Sequence, residues 1–153
     1  MAGVGVGDVV EDFELPDETG TPRRLSEFLA TGPVVLFFYA GAMTRGCTAE
    51  SCHFRDLGAE FTALGASRVG ISRDPVAKQA EFSALNGFDY PLLSDVDGTV
   101  TRAFGVKRRV PLGPISTKRM TFVIGTDRRI IEVIHSEVSM NDHADRALRA
   151  LGG

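Results

Sequence analysis

The stretch that decides the fold lies in the first third of the chain: 34-VVLFFYAGAMTRGCTAESCHFRD-56. Its first six residues, Val34 to Tyr39, are all apolar or aromatic, which predicts a strand buried on both faces in the middle of a sheet. After a short loop, apolar residues recur at helical spacing, at Phe54, Leu57, Phe61 and Leu64. Gly65 fits the position that ends such a helix. Cys47 is therefore expected where a central strand is followed by a helix, within the first helical turn.

This position favours a reactive thiolate at Cys47. The first N–H groups of a helix have no acceptor within the helix and form the positive end of its dipole, and both features stabilise a negatively charged sulfur. Thr44, three residues upstream, could direct its hydroxyl to the sulfur or to a bound oxygen. Arg119, at the start of a predicted core strand, is the best candidate for a nearby cation. The alternative is that Cys47 is a small buried hydrophobic residue, as free cysteines commonly are.

A second cysteine, Cys52, follows Cys47 by five residues. In an intact helix such residues have Cα atoms about 8–9 Å apart and point in directions about 140° apart. A disulfide spans at most roughly 7 Å between Cα atoms. A bond between the two cysteines would therefore require the first turns of the helix to unwind. The alternative is that Cys52 faces the core and does not react.

Composition and charge limit the possible functions. A length of 153 residues with 43% hydrophobic content indicates one domain, residues 1–153, that can form a real core. The net charge of −3 argues against binding to nucleic acid or to an anionic membrane. No apolar run is long enough to span a bilayer, and the N-terminus lacks the features of a signal peptide. We therefore expect a cytoplasmic protein that is a monomer or a weak homodimer.

Other candidate sites are weaker. The spacing of Cys47, Cys52 and His53 is poor for zinc, which usually takes four ligands at recognisable spacing, so we expect no metal and no cofactor. His135 at a strand end and His143 at a helix start are expected to have surface or capping roles. The basic run from Lys107 to Arg109 is most simply a solvated loop, although it could guide a protein partner.

The rest of the chain alternates strands with helices. Four further strands are predicted: Arg68 to Ser72, Pro91 to Leu93, Met120 to Ile124 and Ile130 to His135. Helices are expected after Ser26, from Asp74-Pro75 to Asn86-Gly87, after Asp97 or Thr99, and after Asn141 or Asp142. Turn residues from Pro16 to Gly20 predict an N-terminal hairpin. The segment from Val106 to Lys118, which contains prolines and a glycine, is expected to be an irregular loop.

This order of elements predicts the fold class. Strands that alternate with helices, followed by a terminal hairpin and a helix, imply an α/β three-layer sandwich with a central mixed β-sheet flanked by helices. With the N-terminal hairpin, this is the order of the thioredoxin fold.

Several motifs together resemble those of the peroxiredoxin family, in particular its Q-type or bacterioferritin comigratory branch. Thr44-x-x-Cys47 resembles the active-site loop of the family, and the pattern Gly46-Cys47-Thr48-x-Glu50-x-Cys52-x-Phe54-Arg55-Asp56 resembles the Q-type helix with its second cysteine. The segments that follow it in the family's order are Gly70-Ile71-Ser72, Pro91 to Asp95 and Arg119 to Ile124. The resemblance covers nearly the whole chain.

The resemblance implies a thiol peroxidase that reduces hydrogen peroxide and organic hydroperoxides. It assigns Cys47 as the peroxidatic nucleophile and Cys52 as the resolving thiol, with a thioredoxin-like protein as the reductant. Thr44 and Arg119 would orient the peroxide and stabilise the departing oxygen. Glu50 would hold an arginine or the start of the helix.

Two departures from the family pattern support an alternative function. Ala40 replaces the proline of the active-site loop, and Arg45 replaces another proline that is common in Q-type chains. Glu11 and Gly125 differ from the family at positions of less consequence. The alternative is a redox-sensing or partner-binding domain on the same scaffold, in which the cysteine pair signals oxidation without sustained turnover.

Overall fold

The computed structural model describes residues 4–112, 115–137 and 139–152, with the backbone alone for 107–112 and 115–116. Its centre is a five-stranded sheet in the order β5-β4-β3-β8-β9. These strands are β3 (Val34–Phe38), β4 (Ser67–Ser72), β5 (Leu92–Ser94), β8 (Met120–Ile124) and β9 (Ile130–His135). Strand β4 pairs in parallel with both β3 and β5, whereas β8 pairs antiparallel with both β3 and β9. This pairing confirms the predicted mixed sheet.

The described residues also form two separate two-stranded antiparallel sheets. The first, β1 (Glu14–Pro16) with β2 (Pro22–Arg24), confirms the predicted N-terminal hairpin. The second pairs β6 (Lys107–Leu112) with β7 (Ile115–Thr117). The prediction of an irregular loop from Val106 to Lys118 is therefore wrong, because a two-stranded edge sheet tolerates a proline that lacks an N–H. Residues 113 and 114 of that predicted loop lie outside the described residues, as do the side chains of the basic run 107–109.

The described residues also form six helices: α1 (Leu25–Leu29), α2 (Arg45–Asp56), α3 (Gly58–Ala63), α4 (Val76–Asn86), α5 (Thr99–Ala103) and α6 (Met140–Ala150). The predicted end of α4 is confirmed, since Gly87 adopts the left-handed conformation with a φ of 61°. The predicted cap of α6 is wrong. The residue before its first turn is Ser139 rather than Asn141 or Asp142.

The helix that follows Cys47 is interrupted, which the apolar spacing does not predict. It ends at Asp56, and α3 begins after Leu57. The guanidinium of Arg68 enters at this point and donates to the carbonyl of Phe54 at 3.0 Å. A Cβ atom at Gly58 would lie 3.1 Å from Nη2 of Arg68, so a glycine leaves the room that the guanidinium occupies. A side chain inserted into the helical hydrogen-bond ladder breaks the helix.

The side chains of β3 divide between two apolar clusters, one on each face of the sheet. Val34, Leu36 and Phe38 pack with residues of α1 and α5. Val35, Phe37 and Tyr39 belong to the cluster that contains residues of α2, α3, α4 and α6. The whole strand is buried, as its composition predicts, and the arrangement is the predicted three-layer sandwich. Among the described residues, no helix has both the length and the apolar character needed to cross a membrane.

Close packing at the centre of the sheet predicts that Gly70→Ala destabilises the protein. A Cβ atom at Gly70 would lie 2.8 Å from Leu92 Cδ2 and 3.0 Å from Phe37 Cζ, and both of these side chains are fully buried. Overpacking of this kind costs about 1–3 kcal/mol of unfolding free energy, which urea denaturation would measure. Gly5→Ala is the control, because a Cβ there would meet no heavy atom within 4 Å. Equal stability of the two variants would contradict this account of the packing.

Candidate active site

Cys47 is the third residue of α2 and lies just after the central strand, as the sequence predicts. Thr44 is the N-cap in an extended conformation, and its carbonyl accepts from the N–H of Thr48 at 2.9 Å. The amides of Arg45, Gly46 and Cys47 therefore precede the first hydrogen bond within the helix and point out of its N-terminus. Cys47 is buried, with only 1% of the residue exposed. The sulfur is thus buried at the positive end of a helix.

The predicted cation lies beside this sulfur. Nη1 of Arg119 donates to Cys47 Sγ at 3.3 Å and to Glu50 Oε1 at 3.1 Å. The backbone N–H of Arg119 donates to Glu137 Oε2 at 3.1 Å, which fixes the start of β8. Gly46 permits this approach, since a Cβ there would lie 3.1 Å from Arg119 Nη2. A charged donor at this distance stabilises negative charge on the sulfur.

Glu50 is a fully buried carboxyl group behind the arginine. Its Oε1 accepts from Arg119, whereas its Oε2 has no hydrogen-bond partner among the described residues and lies 3.4 Å from His143 Nδ1. Burial raises the pKa of Glu50 to about 8, although the positive charge of Arg119 opposes this rise. The carboxyl group is therefore mostly neutral at pH 7. A neutral Glu50 does not offset the positive charge of Arg119, which then acts on the Cys47 sulfur.

His143 lies in the interior, so the prediction of a surface or capping role is wrong. Its Nε2 is 2.9 Å from the carbonyl oxygen of Ser136, and its Nδ1 is 2.7 Å from the hydroxyl of Thr121. The carbonyl can only accept, so Nε2 carries the proton and a neutral Nδ1 accepts from Thr121. Burial lowers the pKa of His143 to about 4. The imidazole is therefore neutral behind Glu50.

Sequence patterns contain weak signals for these two residues. Glu50 follows Cys47 by three residues, which places both on one face of a helix. His143 adjoins Ala144 and precedes Ala147 by four residues, and both alanines form part of the buried face of α6. Helical periodicity could thus have predicted that Glu50 lies beside Cys47 and that His143 points inward.

The side chains of Thr44 and Cys52 each donate a hydrogen bond to another protein group. The hydroxyl of Thr44, which the sequence predicts could reach the sulfur of Cys47 or a bound oxygen, donates to the carbonyl of Gly41 at 2.8 Å. Its oxygen keeps lone pairs that can accept a proton donor. Cys52 is half-buried in the same helix, and its thiol donates to Asn86 Oδ1 at 3.6 Å. Both cysteines are free thiols.

The described residues contain no group of three or more His, Cys, Asp or Glu side chains that could hold a metal ion. The site that the described residues form is a cysteine sulfur beside a guanidinium.

Comparison with known proteins agrees with this geometry. The AhpC/TSA family profile matches residues 6–133. The chain belongs to the AhpC/TSA family. A putative peroxiredoxin of Mycobacterium tuberculosis is 63% identical over 145 residues, which cover 95% of this chain and 94% of that protein. The peroxiredoxin Bcp of Bacillus subtilis is 32% identical over 151 residues, covering 97% and 95%. The protein is therefore a peroxiredoxin of the Bcp or Q type, an enzyme with thiol-dependent peroxidase activity.

Solved structures of peroxiredoxins have the same fold. The crystal structure of peroxidoxin BcpB from Mycobacterium tuberculosis has a TM-score of 0.92 at 63% identity and covers 97% of both chains. A structure of the bacterioferritin comigratory protein of Xanthomonas campestris, described as giving insights into alkyl peroxide reduction activity, has a TM-score of 0.84 at 32% identity and covers 95% of this chain and 98% of that one. The predicted thioredoxin fold is confirmed.

The raised pKa of Glu50 predicts the alkaline limit of this peroxiredoxin. As the pH rises through about 8, Glu50 ionises, shares the charge of Arg119 and adds negative charge near the sulfur. We expect kcat/KM for peroxide to fall by roughly tenfold above that pH, the effect of about 1.4 kcal/mol. In Glu50→Gln, which cannot ionise, the fall should be absent. Glu60→Gln, at an exposed site on α3, is the control and should keep the fall. A fall that persists in Glu50→Gln would contradict the assignment.

The lowered pKa of His143 predicts acid sensitivity of the fold. The imidazole is neutral in the folded protein down to a pKa of about 4, whereas the unfolded chain takes up its proton near 6.5. Its stabilising contribution is therefore complete above pH 6.5 and lost as the pH falls toward 4, by about 3 kcal/mol. His143→Gln should make the loss of unfolding free energy over this range shallower in urea titrations. Equal slopes for the wild type and His143→Gln would refute the prediction.

Proposed function

We propose that Cys47 is the peroxidatic nucleophile of this peroxiredoxin and that Cys52 resolves the oxidised intermediate. The observation that carries the proposal is the 3.3 Å contact between Arg119 Nη1 and Cys47 Sγ at the N-terminus of α2. A guanidinium and a helix dipole directed at one buried sulfur favour the thiolate, which is the reactive form. The thiolate attacks the distal oxygen of the peroxide, and the O–O bond breaks. Cys47 becomes a sulfenic acid, and the departing alkoxide takes a proton from water.

The surrounding donors and acceptors suit this transfer of oxygen. The N–H groups of Arg119 and of the first turn of α2 can donate to the departing oxygen as it becomes negative. The hydroxyl oxygen of Thr44 can accept the O–H of the peroxide, because its own proton is used by Gly41. The peroxide would thus be held between an acceptor and a cation. Hydrogen peroxide and small organic hydroperoxides both present the O–O–H group that this arrangement would bind.

Resolution by Cys52 requires a change in α2. The Cys52 sulfur attacks the sulfur of the sulfenic acid, a disulfide forms and water leaves. Both cysteines lie in one continuous helix, which must unwind before their sulfurs can meet. Contacts that would break include the Cys52 thiol to Asn86 and the hydroxyl of Tyr90 to the carbonyl of Ser51, which is 2.7 Å long. The helix is therefore both the support of the peroxide step and the barrier to the resolving step.

A dithiol protein of the thioredoxin type would complete the cycle. One of its thiolates attacks the Cys47–Cys52 disulfide, and its second thiol releases the reduced enzyme by exchange. We further propose that the chain acts in the cytoplasm as one domain, 1–153, and as a monomer or weak homodimer. The relatives reported above are peroxiredoxins, which favours the peroxidase over the redox sensor that Ala40 and Arg45 suggest.

The two-cysteine cycle predicts distinct defects for Cys47→Ser and Cys52→Ser. Turnover would be followed as oxidation of NADPH with peroxide, thioredoxin and thioredoxin reductase. Cys47→Ser should lose turnover completely, because serine is not a nucleophile toward peroxide under these conditions. Cys52→Ser should react with one equivalent of peroxide and then accumulate a sulfenic acid that a dimedone-type reagent labels.

Two results would contradict this cycle. Sustained turnover of Cys52→Ser would mean that another thiol resolves the intermediate. A wild-type protein that forms the Cys47–Cys52 disulfide but is not recycled by thioredoxin would favour the redox sensor.

A further inference from the structure

A continuous chain of hydrogen bonds runs through the interior from the end of the central strand to the loop before α2. The hydroxyl of Tyr39 donates to Gln79 Oε1 at 2.6 Å, and Gln79 Nε2 donates to Ser72 Oγ at 3.0 Å. Ser72 Oγ in turn donates to Asp74 Oδ2 at 2.7 Å. The last member is the backbone N–H of Ala42, which donates to the same Asp74 oxygen at 2.7 Å.

Asp74 is the point at which this chain meets the active-site loop. Its side chain is only 13% exposed, and Ala42 is buried. A largely desolvated carboxylate that accepts a backbone N–H and a hydroxyl makes strong, directional hydrogen bonds. Its other oxygen, Oδ1, lies 3.6 Å from the ammonium of Lys78, which is half-exposed. Asp74 therefore binds the loop firmly and is itself fixed from the core.

The segment that Asp74 holds is a tight turn leading directly into the site. The carbonyl of Gly41 accepts from both the N–H and the hydroxyl of Thr44, at 3.4 and 2.8 Å. Met43 between them has a φ of 65°, a left-handed conformation that is uncommon for a residue other than glycine. Such a conformation persists where the surrounding contacts over-determine it. The bond from Ala42 to Asp74 is such a contact, one residue before Met43.

We propose that Asp74 is a positioning residue for the peroxide reaction: by holding the N–H of Ala42, it sets the turn that places Thr44 and the first turn of α2 around Cys47. The inference rests on the proposed function of Cys47 and Thr44. Asp74 lies on the loop before α4 and acts through the backbone at Ala42, without contact to the reacting atoms. A displacement of about 1 Å in a positioning group can cost about 100-fold in rate.

The test compares four variants in rapid-mixing experiments that separate peroxide reduction from disulfide reduction. Asp74→Ala removes the acceptor, and Asp74→Asn keeps a carbonyl oxygen that can accept from Ala42. Ser72→Ala leaves the carboxylate but removes the hydroxyl that orients it. Lys78→Met is the matched control, since it removes the ion pair of Asp74 and leaves the bond to Ala42. Hydrogen exchange of the Ala42 amide reports the anchor directly.

The expected result is specific to the peroxide step. Asp74→Ala should lower the second-order rate constant for peroxide by about 10- to 100-fold and expose the Ala42 amide to exchange. The rate constant for reduction of the disulfide form of Asp74→Ala by thioredoxin should stay within about twofold of the wild-type value. Ser72→Ala should lose roughly two- to fivefold in the same step, which keeps the test decisive if Asp74→Ala does not fold. Asp74→Asn and Lys78→Met should stay within about threefold of wild type.

Two kinds of result would overturn the inference. An unchanged peroxide rate in both Asp74→Ala and Ser72→Ala would show that the anchor does not position the site. Equal decreases in the rate constants for peroxide and for thioredoxin, in proportion to the lost stability, would mean that Asp74 has only a structural role. Failure of the proposed function has a different signature, because the wild type itself would then lack peroxide-dependent turnover.

Discussion

The structure depends on the burial of three interacting groups, the Cys47 sulfur, the Arg119 guanidinium and the Glu50 carboxyl, where the central strand meets α2. Isolated buried charges cost several kcal/mol each, so such groups must compensate one another. The strand register makes this possible. Phe38 at the end of β3 pairs with Met120 at the start of antiparallel β8, which places Arg119 beside the loop that carries Cys47. A neutral Glu50 then leaves one positive charge facing one sulfur.

The helix that carries Cys47 is held by side-chain hydrogen bonds to other elements. Arg68 donates to the carbonyl of Phe54, Tyr90 to that of Ser51, and Arg55 of the helix donates to the carbonyl of Asn86 at 2.6 Å. Each such bond contributes on the order of 1 kcal/mol. Phe54 also stacks on Phe37 of the central strand, with ring centroids 4.2 Å apart. Unwinding for the proposed disulfide must therefore break a well-packed arrangement, and the contacts that hold the helix would slow the proposed resolving step.

The pattern of apolar residues predicted the strands that are buried on both faces and the helices whose apolar residues recur at regular spacing. The apolar run from Val34 to Tyr39 predicted a central strand, which the structure shows as β3, and Gly87 predicted a helix end. The pattern did not predict the break at Leu57, because the interruption comes from Arg68, a residue of a different strand. It also did not predict that β6 pairs with β7, because the segment from Val106 to Lys118 contains prolines and a glycine, which are typical of loops. Local propensity is overridden wherever a distant contact decides the conformation.

The sequence by itself determined that a cysteine lies at a strand-to-helix junction, that a second one follows five residues later on the same helix, and that the fold is a mixed α/β sandwich. Those properties follow from the local spacing of apolar residues. The order of the strands also made Arg119 the candidate cation, but only the tertiary structure decided the distances and hydrogen bonds around the sulfur. Arg119 is 72 positions from Cys47 in the chain, and Asp74 is 32 positions from Ala42. Strand pairing and helix packing bring such residues within hydrogen-bond distance, and no local pattern encodes those distances.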